Sequence, residues 1–550
     1  MTKAVDERQP TLLARAEKIA GEFDLSPDDV RSITRHFVRQ MKDGLAHERV
    51  WQLPSYVRRV PTGKEKGKFL AVDLGGSNCR ICLVDLHGDS TFTVSQSKDS
   101  VPPEVTVNPS YRPLFDFVAH RIADFLKGNE NPQCVQGLKD AEQHQTYNLG
   151  FTFSFTCEQT SLAGGRLIHW DKGWDIPDAV GRDPCRMLQE AIDHLGLPVI
   201  VSVLANDSVG TLLTRSYTSG PTASTLAAVI LGTGTNAAYI ERLSNVRRLG
   251  AEPISDQIMI INTEWGCFDD KMDVLPRTPF DDELDEASTD PGSQMLEKRV
   301  SGLYLGELLR LTILHLMQTN ALAITCNPTS RIFERHSIDS SFLSELAKAG
   351  SDRAQTTIQL IKATLSAEGV TETDARGIQL LASAIARRAA RLAGASLAAI
   401  IIQSGRLKMS TKGTEHTYTT DDDEQRPQLT SRSSMRSIHR FIHDATLLWR
   451  RLLRLVGMGS LIGKPPIPPL SETKSSVVFQ EDIIDIGADG SLIEFYPMFE
   501  VEMRRAMRDV PEIGPTGDQR IRIGMAKDGS GVGAALIAQA ASEMQGAIAI

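Results

Sequence analysis

The sequence lacks the marks of several protein classes. It has 7 cysteines in 550 residues, at 79, 82, 134, 157, 185, 267 and 326. An odd, irregularly spaced set excludes a disulfide framework and suits reduced thiols in the cytosol. Cys79 and Cys82 form a C-x-x-C, but no second pair or His pair completes a zinc site, so two ordinary strand residues are expected there. Long apolar runs are missing: the longest, Leu392 to Ile402, is about half of the ~20 residues a membrane helix needs. The N-terminal MTKAVDERQPTLL has no signal-peptide core. There is no basic excess either, since the net charge is -9, which argues against a general nucleic-acid or membrane surface but not against a local basic patch. These absences predict a cytoplasmic protein with no transmembrane segment and no nucleic-acid partner, with a nuclear or organelle-surface pool left open.

What is present is ordinary globular composition, 41% hydrophobic and 23% charged, which excludes collagen-like, fibrous and disordered chains. The chain exceeds the roughly 250–300 residues at which single cores stop growing, so two domains or lobes are expected. Ser26-Pro27-Asp28-Asp29 reads as a helix start, followed by Val30, Ile33, Phe37 and Met41 at helical spacing. From Phe69 the pattern becomes strand, turn, strand: Phe69 to Val72 and Ile81 to Leu86 flank Asp73-Leu-Gly-Gly-Ser-Asn78. A second such unit spans Leu226 to Ile240, and the pair suggests two lobes of similar construction. Helix is expected over Gln294–Met317 and Arg376–Ile402, and a strand over Ile521–Met525 before an Ala-rich terminal helix.

The segment from about Arg406 to Glu481 differs from the rest. It is Ser/Thr-rich, then acidic, basic and finally Pro-rich (Lys464-Pro-Pro-Ile-Pro-Pro469). Within it, residues 432–456 carry six Arg against one Asp beside Phe441, Trp449 and several Leu. Such a basic amphipathic helix fits contact with a protein or membrane surface; an inserted loop whose helix packs on the body is the plainer reading.

Several motifs bear chemistry. In Asp73-Leu-Gly-Gly-Ser-Asn78 the glycines allow close backbone approach, successive N–H groups converge on an anion, and Ser77 adds a hydroxyl. The Asp73 carboxylate suits magnesium held through water, with no direct protein ligand. A tight hairpin without a ligand would read the same. Gly232-Thr-Gly-Thr-Asn236 repeats the logic, its threonines supplying hydroxyl donors, and two such turns facing one cleft would clamp a nucleotide's phosphates. Asn206-Asp207 ends an apolar strand, where a partly desolvated carboxylate suits a general base and an N-cap turn is the competing reading. Gly459-Ser-Leu-Ile-Gly-Lys464 is one residue short of a P-loop and is rejected. Gly529-Ser-Gly-Val-Gly533 leaves no room for a dinucleotide fold and reads as a helix N-terminus near a nucleotide.

In order along the chain stand PTGKEKGKFLAVDLGGSNCRICLV (Pro61 to Val84), LGFTFSFTCEQ (Leu149 to Gln159), GRLIHWDKGWDI (Gly165 to Ile176) and LANDSVGTL (Leu204 to Leu212). VILGTGTNAAYIE (Val229 to Glu241), INTEWGCF (Ile261 to Phe268), PGSQMLEKRVSGLYLGELLR (Pro291 to Arg310), ADGSLIEFYPMF (Ala488 to Phe499) and AKDGSGVGAALIA (Ala526 to Ala538) follow. By these segments the chain closely resembles the eukaryotic hexokinases, within the larger group of sugar kinases, heat-shock ATPases and actin. The resemblance covers residues 25–405 and 481–545 and has the look of a divergent fungal branch that includes N-acetylglucosamine kinases and proposed regulators.

The resemblance implies an α/β, two-lobe, actin-like ATPase (ribonuclease H-like) fold. Residues 1–66 would be a helical part of the large lobe, and 67–205 the small lobe. Residues 206–530 would form the large lobe with an insertion at about 406–480, and 531–550 a helix returning to the small lobe. It implies transfer of a phosphoryl group from ATP with Mg2+ to a hexose 6-hydroxyl. Asp207 would be the base and Lys172 would help neutralise charge. Ser154, Phe155, Asp171, Asn206, Asn236, Glu264, Gln294 and Glu297 would line the sugar pocket. Asp73, Gly75, Gly76, Ser77, Asn78 and Arg80 would form one phosphate site and Gly232, Thr233 and Gly234 the other. Asp489, Gly490, Ser491 and Ser530 would lie toward the adenosine.

The chain departs from the family pattern in two places. Ser154-Phe155-Thr156 replaces Ser-Phe-Pro, which is expected to loosen that loop. Trp170-Asp171-Lys172-Gly173 replaces Trp-Thr-Lys-Gly, putting an acceptor-only carboxylate where a hydroxyl stands. Both lie in the sugar pocket, so a changed sugar preference is expected before lost catalysis. Glucose and N-acetylglucosamine are both open as substrates, and a catalytically weak sugar-sensing regulator is the reading from another class.

Overall fold

The computed structural model describes residues 11–128, 146–170, 173–220, 224–250, 257–350, 354–407 and 483–548. The chain begins with helices Leu12–Glu22 and Pro27–Ala46. The second starts as its sequence predicts, in a capping box: Ser26 accepts from the Asp29 N–H, and the Asp29 carboxylate accepts from that of Ser26. A two-residue strand, β1 (Leu53–Pro54), follows.

Then come β2 (Lys66–Leu74), β3 (Asn78–His87), β4 (Phe92–Ser100) and β5 (Tyr147–Phe153). A small hairpin, β6 (Cys157–Ser161) and β7 (Gly164–Leu167), precedes β8 (Val199–Ala205). The second half holds β9 (Thr225–Leu231), β10 (Thr235–Arg242) and β11 (Ile258–Asn262). After a short ribbon of β12 (Thr325–Cys326) with β13 (Ala367–Glu368) come β14 (Ile484–Asp489) and β15 (Ile521–Met525).

Two sheets result, and their topology matches. One runs β4-β3-β2-β5-β8 and the other β11-β10-β9-β14-β15, with β1 added at the β11 edge. In each, the first three strands form an antiparallel meander and the last two add in parallel to its first strand. The tight turns β2–β3 and β9–β10 therefore occupy equivalent places, each at the end of the strand shared by meander and parallel pair.

Three core layers surround the sheets. Helices Arg112–Lys127 and Pro184–His194 cover the outer face of the first sheet. The 33-residue helix Glu372–Ser404, Gly302–Gln318 and the two N-terminal helices cover the outer face of the second. Between the sheets lies a layer of mostly small side chains, with Ala71 and Val203 from one sheet and Ala228 and Ala238 from the other. Helices Asp207–Ser219 and Gly529–Ile548 cross there. A Cβ on Gly533 would lie 2.1 Å from Gly210 Cα, a backbone-to-backbone approach that no larger residue permits. The glycines of Gly529-Ser-Gly-Val-Gly533 are thus used in helix packing, which a motif read as a nucleotide-facing terminus does not disclose.

Cys79 and Cys82 sit on opposite faces of β3, one in the outer layer and one in the central layer, so they cannot ligate one ion. Burial pushes both thiols up, that of Cys82 to about 12. Among the described residues no helix is long and apolar enough to cross a membrane.

Candidate active site

Strand β8 is apolar except for Ser202 and ends where Asn206 caps the helix Asp207–Ser219. The Asn206 Oδ1 accepts from the Ser208 N–H (2.9 Å) and hydroxyl (2.6 Å). The N-cap is therefore real and belongs to Asn206, which frees the next residue for another purpose. Asp207 stands in the first turn, where the helix dipole favours an anion, and its carboxylate accepts from the Ser208 N–H (2.8 Å) and the Ser154 hydroxyl (3.4 Å).

A chain of amides runs from this point into the second sheet. Asn236 Nδ2 donates to Asn206 Oδ1 (3.3 Å) and to Asn262 Oδ1 (2.9 Å), and Asn262 Nδ2 donates to Glu264 Oε1 (2.7 Å). Each donor fixes the flip of the next amide, so the outward-facing atoms are set in advance. Glu264 and Gln294 hold left-handed backbone, with φ of 46° and 53°, a strained conformation that clusters at binding sites. Gln294 and Glu297 close over the neighbouring turn: a Cβ on Gly266 would lie 2.3 Å from Gln294 Oε1 and 3.0 Å from Glu297 Oε2. Glu297 Oε1 also comes within 3.3 Å of where a Gly234 Cβ would stand, which puts this carboxylate between sugar and phosphate motifs.

The adjoining cleft has a volume of about 520 Å³ and is lined by Thr156, Trp170, Trp174, Glu264, Asp270 and Gln294 among others. Burial pushes the Asp270 carboxyl up to about 6, against N–H groups of Met295 and Gln294 that lower it. Phe155 departs from expectation. Its ring is 3% exposed, packed between Trp170 (4.8 Å) and Trp174 (4.6 Å), so the side chain supports the loop from behind instead of lining the pocket. Thr156 is itself buried and its carbonyl accepts from the Ile168 N–H, and the aromatic packing of Phe155 ties the same loop to Trp170 and Trp174.

The first turn is held by side chains. Asp73 and Arg80 are cross-strand partners on β2 and β3, and Asp73 Oδ2 accepts from Arg80 Nε (3.0 Å) and Nη2 (2.5 Å). The Ser530 hydroxyl donates to the same oxygen (2.7 Å) and accepts from Arg80 (2.9 Å). Arg80 also faces Asp528. Ser530, expected toward the adenosine, thus ties the C-terminal helix to the first phosphate turn. Gly75 donates to the Asn78 carbonyl (3.0 Å), the Gly76 carbonyl accepts from Trp174, and Ser77 is exposed at the tip.

The second turn is held by main chain. The Gly232 and Thr233 carbonyls accept from the N–H groups of Gly302 (2.7 Å) and Leu303 (3.1 Å), at the start of the helix Gly302–Gln318. Thr233 is exposed. Thr235 is buried and supplies no free hydroxyl: it donates to the Ile230 carbonyl and accepts from Trp265. Beside the turn, β14 ends at Asp489. Gly490 follows with φ 117°, and a Cβ there would lie 2.4 Å from the Leu231 carbonyl, so only glycine lets the two segments pass. Ser491 opens a short helix there. Burial first, then repulsion from Asp207, pushes the Asp489 carboxyl up to about 6.

Asp171 and Lys172 lie outside the described residues, as does the basic segment 432–456. Sequence reasoning missed Asn262, Asp270, Asp528 and Trp174. For Asn262 the reason is the sheet register: on β10 its partner is Ala238, two residues from Asn236, so the strand period puts the two amides on one face. Trp174 carried no signal, because its partner lies far away in sequence.

Comparison with known proteins gives a consistent pattern. Two family models described as hexokinase match residues 15–217 and residues 226–429 with 451–540. A glucokinase of Aspergillus niger is 38% identical, over 97% of this chain and 98% of its own. Glucokinase-1 of Saccharomyces cerevisiae is 32% identical, over 96% and 97%. Among solved structures, the hexokinase from Schistosoma mansoni complexed with glucose superposes with a TM-score of 0.72 at 28% identity, over 96% of this chain and 99% of that one.

Proposed function

The chain belongs to the hexokinase family, with its two-lobe actin-like ATPase fold and its ATP-dependent phosphorylation of a hexose, and from that premise we propose glucose as the preferred sugar and Asp207 as the general base. The observation that carries this reading is the amide and carboxylate chain Asn206–Asn236–Asn262–Glu264, which ends beside Asp207 between the two glycine turns. A hexose offers several hydroxyls, each donor and acceptor, and a pre-oriented row of amides and carboxylates gives each a directional partner. The names of the relatives, glucokinases and hexokinases, favour glucose over the N-acetylglucosamine and regulatory readings.

In this mechanism Asp207 accepts the 6-hydroxyl proton while Ser154 and the Ser208 N–H hold its carboxylate in place. Backbone N–H groups of Gly76 and Ser77 and of Thr233 and Gly234 receive the phosphates, while the Gly75 N–H closes the first turn on the Asn78 carbonyl. Lys172 is proposed to add positive charge. Mg2+ bound with ATP would supply further charge neutralisation. Asp73, fixed by Arg80 and Ser530, and Asp489, desolvated and facing other carboxylates, have the chemistry to hold its water shell. Gly490 and Ser491 are proposed to border the adenosine. A cytoplasmic location, and a surface contact through residues 432–456, are proposed from sequence alone.

The test is a coupled ADP-release assay over glucose, fructose, mannose, glucosamine and N-acetylglucosamine. Glucose should give the highest kcat/KM, and Asp207→Asn should lower kcat about 10²–10⁴-fold with little change in glucose affinity. A higher kcat/KM on another sugar would overturn the glucose assignment, and a variant with undiminished kcat the base. Absence of turnover on every sugar, with folded protein, would favour the regulator.

A further inference from the structure

Trp174 touches both halves of the proposed site. Its ring lines the cleft together with Trp170 and Glu264, and it packs on Phe155, next to Ser154. Its indole Nε1–H donates to the Gly76 carbonyl (2.9 Å), in the middle of the first phosphate turn, a residue 98 positions away in sequence. The residue is 7% exposed, and the following residue is pinned by main-chain bonds: Asp175 donates to the Thr106 carbonyl and accepts from Asn108. The indole therefore has a fixed base from which to hold the turn.

The consequence follows from peptide geometry. A trans peptide is planar, with the carbonyl and the next N–H pointing in opposite directions. Holding the Gly76 carbonyl toward Trp174 makes the Ser77 N–H point away from it. The flanking peptides are fixed by main chain, the Gly75 N–H on the Asn78 carbonyl and the Val101 N–H on the Ser77 carbonyl; between them the conformational freedom of Gly76 lets the indole bond set the Gly76–Ser77 peptide. A second bond ties the sugar loop to the same turn: the Ser154 N–H donates to the Leu74 carbonyl (3.2 Å), immediately before it.

We propose that Trp174 is a positioning residue that couples hexose binding to phosphate binding, setting the Gly76–Ser77 peptide through its indole N–H when the sugar loop is ordered. This rests on the assignment above of a hexose to the Ser154 side and of ATP to the Gly76 side. The coupling is reciprocal: nucleotide should tighten glucose by the factor by which glucose tightens nucleotide.

Trp170 provides an internal control. It belongs to the same aromatic cluster, and its indole N–H also reaches a carbonyl, but that of Ile176 (2.9 Å), with no bond to the phosphate turn. The experiment measures the Kd of a non-hydrolysable ATP analogue with Mg2+ by calorimetry, without and with saturating glucose, on the full chain and on Trp174→Phe and Trp170→Phe. Glucose should tighten the analogue about five-fold or more in the parent protein. The ratio should fall below about two-fold in Trp174→Phe, whose ring still fills the cluster, while Trp170→Phe keeps the parent ratio even if its melting temperature drops.

An unchanged ratio in Trp174→Phe, or equal loss in both variants, would overturn the proposal. A parent protein that binds glucose and analogue independently would overturn it too, leaving the site assignment intact. A parent that binds no glucose would instead remove the assignment on which it rests.

Discussion

The two glycine turns stand at equivalent places in sheets of matching strand order, yet they are held in different ways. The β2–β3 turn, besides the Val101 N–H on its Ser77 carbonyl, is gripped by side chains: Arg80 from the facing strand and Ser530 on Asp73, and Trp174 on Gly76. The β9–β10 turn is gripped by main chain, its carbonyls taken by the N-terminal N–H groups of one helix. Shared topology therefore fixes where the turns are, while their neighbours decide how each responds. A turn held by side chains can be reset by whatever moves them; one held by a helix end moves only with that helix.

Substitutions should separate the two modes. Arg80→Ala leaves the nearly buried Asp73 carboxylate unpaired; with partial exposure this should cost about 2–3 kcal/mol of stability and raise the KM for ATP at least ten-fold, measured by denaturant melts and initial rates. Little change in either would mean that the charge pair does not hold the first turn. Gly302→Ala strikes the second turn, because its Cβ would lie 2.9 Å from the Gly232 carbonyl. A cost of about 1–2 kcal/mol is expected, with a higher KM for ATP and no change in glucose affinity.

Ser530→Ala removes one hydroxyl from Asp73 but keeps Arg80, so about 1 kcal/mol and a KM change of a few-fold are expected. An effect as large as that of Arg80→Ala would show that the hydroxyl, and with it the C-terminal helix, dominates.

The smallest effect concerns pH. Asp489, beside the second turn, is raised from 3.8 to about 6 chiefly by burial. A raised acid takes up its proton in the folded protein before the unfolded one does. Its contribution thus favours folding at the lower end of that window and is lost as pH rises through it. Asp489→Asn should flatten the pH dependence of the melting temperature between about 4 and 6, gaining on the order of 1 kcal/mol or less at pH 7 in the nucleotide-free enzyme. An unchanged slope would show that Asp489 does not titrate in that window.

Much of this was legible because it is local. The helix start at Ser26, both glycine turns, the strand Ile521–Met525 and the strand-to-helix switch at Asn206-Asp207 follow from neighbouring residues and their spacing. The site itself was legible only through ordered motifs, and the structure redistributes their duties: Phe155 supports instead of lining, Thr235 is consumed internally, and Ser530 serves the first turn.

By itself, then, the sequence determined the elements, the two turns and the family, because dihedral preferences, hydrophobic period and residue chemistry act over a few positions. Only the tertiary structure decided that β14 joins β9 in parallel from far along the chain, and that Gly533 meets Gly210. The same holds for the Asn262 amide between Asn236 and Glu264 and for the Trp174 N–H on Gly76. Such contacts join segments far apart in the chain, and their hydrogen bonds and close approaches exist only once the sheets and core layers have brought those segments together.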